Sequence, residues 1–141
     1  MRGHTLVELL LVLTLMGATT ASLAPAARRL KDRGTVVAAR EALVGLLGET
    51  RAAAMRVGEA RLHITSDPAA ASASVSDSTL RSVDLGGELG VAVELSGGRA
   101  EVDLEFDGLG LGRMAGQTIR LRRGEEISEL VVSSYGRVRR R

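Results

Sequence analysis

Two hydrophobic periods divide this chain. From Leu6 to Ala27 the residues are apolar or small almost without interruption, 22 positions carrying a single charge at Glu8, and Arg28, Arg29, Lys31 and Arg33 close the run. As a helix that stretch measures roughly 33 Å, enough to cross a hydrocarbon core. From Arg28 to Val57 the apolar positions Leu30, Val36, Val37, Leu43, Val44, Leu46, Leu47, Met55 and Val57 are separated by Arg and Glu, which predicts an amphipathic helix continuing the first. Gly34, Gly45 and Gly48 weaken it, and Gly58 is a natural stop. Beyond Gly58 the period becomes two, as in Arg61-Leu62-His63-Ile64-Thr65 and in Glu101 to Asp107, where Val102, Leu104 and Phe106 share the inward face. Further strands are expected over Leu80–Val83, Val91–Leu95, Thr118–Arg122 and Glu129–Ser133, while Asp67 to Ser74 reads as a small-residue loop. The pattern predicts an α+β fold: a long N-terminal helix, residues 4–27 its transmembrane half and 28–58 its amphipathic half, packed on a small antiparallel β-rich domain over 59–141.

Composition narrows the chemistry. A chain of 141 residues and 14.8 kDa fits one ordinary domain, and with one Tyr, one Phe and no Trp its core must be Leu, Val, Ile and Ala. So few aromatics argue against a stacking platform for single-stranded nucleic acid. The absence of Cys excludes thiol catalysis, disulfide scaffolds and iron–sulfur chemistry, and two His, His4 and His63, leave a histidine triad few candidates. Formal net charge is only +2, yet Asp84 to Asp107 holds seven carboxylates against one Arg, whereas Arg113 to Arg141 holds eight Arg against three Glu.

Glu8 is the residue in the apolar run that asks for a reason, since a carboxylate inside a membrane segment costs about 2.5 to 3.5 kcal/mol on insertion scales. One competing reading makes the run a secretory signal, with Arg2 as its basic region, Leu9–Met16 as its apolar core and Gly17–Ala24 as its cleavage region. The segment Gly3-His4-Thr5-Leu6-Val7-Glu8-Leu9 followed by an apolar run resembles the N-terminal cleavage and methylation motif of type IV prepilins and type II secretion pseudopilins. The resemblance implies a leader of residues 1–3, a prepilin peptidase cut after Gly3, N-methylation of His4, and Glu8 as the group that meets the cationic amine of a neighbouring subunit during filament assembly. Pro25 stands where these families often carry a kinking proline. His4 departs from the usual Phe or Met, and the leader is short. Charge alone does not orient the span: Arg2 and the amine precede it, while Arg28, Arg29, Lys31, Asp32 and Arg33 sum to three positives after it. The resemblance implies a short cytoplasmic leader and export of the rest, giving a single-pass inner-membrane protein with a periplasmic or filament-borne C-terminal domain.

The C-terminal third resembles the GspH/FimT family of minor pseudopilins, through Phe106-Asp107-Gly108 and through the strand ending Val131-Val132-Ser133-Ser134-Tyr135-Gly136-Arg137-Val138-Arg139. That resemblance implies a structural subunit of a type II secretion pseudopilus or a type IV pilus, with other pilins as partners. The tail places Arg137, Arg139, Arg140 and Arg141 within six residues, and guanidinium groups bind phosphates bidentately without reading sequence. In some members of that family a Gly-Arg-x-Arg ending is associated with capture of double-stranded DNA, so a DNA-binding minor pilin is the alternative; a solvated terminus is the plain one.

Other candidate chemistry is thin. Asp103, Glu105 and Asp107 share one strand face and read as solvated carboxylates before they read as a cation site or an acid–base pair. Gly108-Leu109-Gly110-Leu111-Gly112 follows no parallel strand and opens no helix, so it reads as turns, not a phosphate loop. His63 is expected outward on its strand. No catalytic set, metal site or cofactor site emerges, and the expectation is a structural part, not an enzyme.

Overall fold

The structure, a computed structural model, describes residues 5–113 and 116–140, with the side chains of 18–24 excepted. Helix α1 runs from Leu6 to Val57, 52 residues, as the two helical segments read from the sequence joined without a break through Pro25. It is about 78 Å long at 1.5 Å per residue. Thr5 caps its start and Gly58 ends it, with φ 106° and its N–H on the carbonyl of Ala54 at 2.7 Å.

Six of the eight strands answer to sequence expectations in whole or part; the other two cover residues 69–75 and 138–140. β1 (Glu59–Ser66), β2 (Ala69–Val75), β3 (Ser78–Asp84) and β5 (Glu101–Asp107) form one antiparallel sheet in the order β3-β2-β1-β5. β4 (Ala92–Leu95), β6 (Gln117–Arg123), β7 (Glu126–Val132) and β8 (Val138–Arg140) form a second in the order β4-β6-β7-β8. The register sets Leu62 against Leu104 and Ile64 against Val102, so the apolar positions of β1 and β5 share one face. Helix α1 lies on that face and contacts both sheets. One core results, with Leu43, Leu46, Leu62, Ile64, Leu104, Phe106, Ile119, Leu121 and Leu130 all fully buried. Each such side chain contributes about 1.5 to 3 kcal/mol.

Two expectations need correction. Residues 69–74 are strand β2, not loop: Ala69, Ala71 and Ala73 are buried, while Ala70, Ser72 and Ser74 alternate with them. Alanine has little β propensity, but its small side chain lets α1 lie close to the sheet, and packing overrides propensity. The buried face of α1 is also narrower than its apolar residues suggest. Val36, Leu43, Leu46 and Leu47 enter the core, joined by Ala39, Thr50, Ala53 and Ala54, whereas Leu30, Val37, Met55 and Val57 stay exposed. The hydroxyl of buried Thr50 donates to the Leu46 carbonyl at 2.7 Å, which removes the cost of burying it.

Candidate functional site

Three regions hold the residues singled out in the sequence. The first is the start of α1. Glu8 sits in the first turn, its N–H on the hydroxyl of Thr5 at 3.4 Å, where the helix dipole favours a carboxylate. Thr5 and Glu8 have the spacing of a capping box, a local role that the apolar context had hidden. The large apolar side chains from Leu6 to Met16 are exposed, Leu6 at 76% and Met16 at 64%. The Thr14 hydroxyl donates back to the carbonyls of Leu10 and Leu11, at 3.0 and 2.9 Å, so this polar group is satisfied without water. Gly3 and His4 lie outside the described residues. Pro25 lies within the unbroken helix, and among the described residues no helix is long and apolar enough to cross a membrane.

The second region is the basic tail. It is strand β8, with Arg139 opposite Val131 and Val138 opposite Val132. Val138 packs against the core, leaving Arg137 and Arg139 exposed on either side of it. Arg137 precedes the strand and closes a turn: its carbonyl accepts from the Ser133 N–H at 2.8 Å and its own N–H donates to the Ser133 hydroxyl at 3.1 Å. Arg140 does something else, reaching Glu41 of α1 at 3.1 Å and tying the tail to the helix. Arg141 lies outside the described residues; among the described members of the cluster, Arg137 and Arg139 are exposed and make no ion pair.

The third region is the acidic row on β5. His63 Nδ1 meets Asp103 at 2.7 Å and Arg61 meets Glu105 at 2.9 Å, each pair facing across β1 and β5. These are cross-strand pairs on a solvated sheet face. Among the described residues no group of three or more His, Asp or Glu could hold a metal ion. Asp107 departs from the row: its carboxylate accepts from the N–H groups of Leu109 and Leu111, at 3.0 and 2.9 Å, and organises the glycine-rich turn. The Leu111 bond, with those of Leu109 and the charge of Arg113, holds its pKa below the ordinary 3.8, against a smaller opposing effect of burial.

The two C-terminal motif fragments meet in space. Gly136, at φ +79°, lies so close to the Phe106 ring that a Cβ there would sit 2.7 Å from Cε1. Phe106 in turn pairs with Gly112 beside the turn that Asp107 holds. These residues build the corner from which β8 departs, so their part is architectural. One contact has no signal in the sequence. Arg123, at the end of β6, reaches Asp32 of α1 at 2.9 Å and also donates to the carbonyl of Leu89, while Arg29 meets Glu125 at 3.5 Å. The β6–β7 hairpin thereby straps the helix just beyond Pro25, through partners 91 residues apart.

No family model and no curated protein matches the chain. Among solved structures it is similar to the type IV minor pilin FimU of Pseudomonas aeruginosa, at 17% identity and a TM-score of 0.62, over 77% of this chain and 90% of that one. The long helix laid on antiparallel sheets is thus a pilin-like fold.

Proposed function

We propose that this chain is a minor pilin or pseudopilin, a structural subunit of a type IV pilus or type II secretion pseudopilus. The observation that carries the reading is the division of one helix: its residues 6–16 have exposed side chains, while its residues 36–54 supply one face of the core. A half-helix of Leu, Val and Met standing in water is unfavourable, so it belongs in a bilayer or among other helices. The domains of the subunit are then a leader of residues 1–3, a membrane half over 4–27, an amphipathic half over 28–58 and a periplasmic β-rich part over 59–141. Prepilin peptidase cuts after Gly3, His4 becomes the methylated first residue, and Glu8 meets the amine of the adjoining subunit in the filament. Support for these steps comes from the motif at residues 3–9 and from the pilin-like fold.

The test is mass analysis of the mature N-terminus, with Gly3→Val beside the parent. Methylated His4 in the parent and an uncut Gly3→Val chain are expected, because a bulkier residue blocks closure of a protease on the backbone. A mature start near Ala24 assigns an ordinary signal peptide instead. Glu8→Leu should be cut normally yet be absent from sheared filaments; its normal incorporation removes Glu8 from assembly.

A second reading adds double-stranded DNA as a partner. Its support is the exposure of Arg137 and Arg139 on the sheet that ends in β8, with no ion-pair partner for either among the described residues.

A further inference from the structure

Directly after the apolar run, α1 carries Arg28, Arg29, Lys31 and Arg33 within six residues, all exposed. Successive helical residues are turned by 100°, so these four spread over about 200° of the helix circumference within about 7.5 Å of rise instead of forming a single stripe. Their partners divide them. Arg29 meets Glu125, and the only carboxylate on this stretch, Asp32, is taken by Arg123 from the hairpin. Arg28, Lys31 and Arg33 have no ion-pair partner among the described residues, although Glu126 stands near Arg28 in the cleft that the hairpin makes with the helix. Counting Arg123, this part of the helix and the hairpin hold five cations against Asp32, Glu125 and Glu126, a surplus of two. From Leu6 to Ala27 the axial rise is about 33 Å, one hydrocarbon thickness. With the apolar half in a bilayer, the three open cations therefore stand at headgroup depth.

We propose that Arg28, Lys31 and Arg33 form a docking collar for the headgroups of anionic phospholipids. The inference rests on the reading of residues 4–27 as a membrane segment. Three features favour lipid over a neighbouring protein: the open cations spread over more than half of the helix circumference, they fall within about 7.5 Å of axial rise, and that level lies one bilayer core from Leu6. A protein partner would meet a patch on one side. Long Lys and Arg stems reach outward from the helix and let each charge meet a phosphate diester while its methylenes cover apolar surface. Charge on this side also works against the topology set by the basic leader, so topology does not account for it. The strap from Arg123 to Asp32 assists, because it removes the carboxylate that would otherwise neutralise the collar internally.

The full chain is reconstituted into vesicles of phosphatidylcholine alone and of equimolar phosphatidylcholine and phosphatidylglycerol. Flotation reads insertion, and spin-labelled lipids read the preference of the protein for each headgroup. Insertion should occur in both, with phosphatidylglycerol preferred roughly fivefold or more, the order of one surface cation, and the preference should shrink with salt. Arg28→Gln, Lys31→Gln and Arg33→Gln together should abolish the preference and leave insertion intact. Arg137→Gln with Arg139→Gln removes two charges far along the chain and should preserve it. An unchanged preference in the collar variant, or no preference in the parent, overturns the collar while the membrane segment stands. A chain that floats with neither vesicle overturns both. A parent without headgroup preference whose collar variant inserts but is lost from filaments assigns the cations to a neighbouring subunit, against the proposal.

Discussion

Gly136→Ala isolates the contact that joins the two C-terminal motif fragments. The glycine has φ +79°, a conformation that costs an L-residue about 1 to 2 kcal/mol, and the added Cβ would lie 2.7 Å from Phe106 Cε1. Phe106 is 1% exposed and cannot swing into water, so the ring or the turn must shift, an overpacking cost of about 1 to 3 kcal/mol. The sum, about 2 to 5 kcal/mol, is a large part of the roughly 5 to 15 kcal/mol that holds a domain together. At about 4 °C per kcal/mol, the melting temperature should fall by roughly 8 to 20 °C. Gly97→Ala is the matched control, since Gly97 has φ +75° and nothing within 4 Å of its Cβ position, so it reads the backbone cost alone. Combining Gly136→Ala with Phe106→Leu removes the clashing ring edge, and the double loss should be less than the sum of the single losses by about 0.5 to 3 kcal/mol. Thermal melts of the four variants in one detergent buffer supply the comparison. Equal losses at positions 97 and 136, or strict additivity with Phe106→Leu, would falsify the account of Gly136 as a close-packing residue.

Acid should weaken the turn that Asp107 organises. Its folded pKa is depressed below 3.8, so the stabilisation is present above that value and is lost as pH falls through the lower folded one. Melts of the parent and Asp107→Ala should therefore differ at pH 7 and converge as pH falls below 3.8 and through the lower folded value, and a gap independent of pH refutes the carboxylate as its source. A fragment beginning at Arg28 should be soluble and melt cooperatively, because the buried face of α1 starts at Val36 and the Asp32–Arg123 strap is retained; aggregation shows that the helix face from Leu30 on needs another subunit. On the same fragment, double-stranded DNA of any sequence should bind in the range of about 10⁻⁴ to 10⁻⁶ M if the tail is a phosphate surface, and Arg137→Gln with Arg139→Gln should lower the salt slope by roughly one to two. Identical binding by parent and variant at low salt leaves the tail as a structural strand. Arg140→Gln should instead cost stability, by at most about 1 kcal/mol, since its pair with Glu41 is half exposed.

The sequence by itself determined the helix, its end at Gly58 and most of the strands, because periodicity and stop signals are local properties; α1 stops where its glycine stands, and β5 alternates residue by residue. It also marked Gly3, Glu8 and the cations that close the apolar run, since a charge pattern needs no fold to be read. Only the tertiary structure decided what the small residues do. Ala69, Ala71 and Ala73 form a strand because a helix needs room to lie on it, a demand made by a partner elsewhere in the chain. It also divided the tail into a tie, Arg140, and two open charges, and it changed Asp107 from one of a row of carboxylates into the cap of a turn. The tail arginines are alike in the sequence until Glu41 comes near Arg140, and Asp32 meets Arg123 only through folding. Such pairings depend on distances set by the whole core, and the order of residues along the chain does not contain them singly.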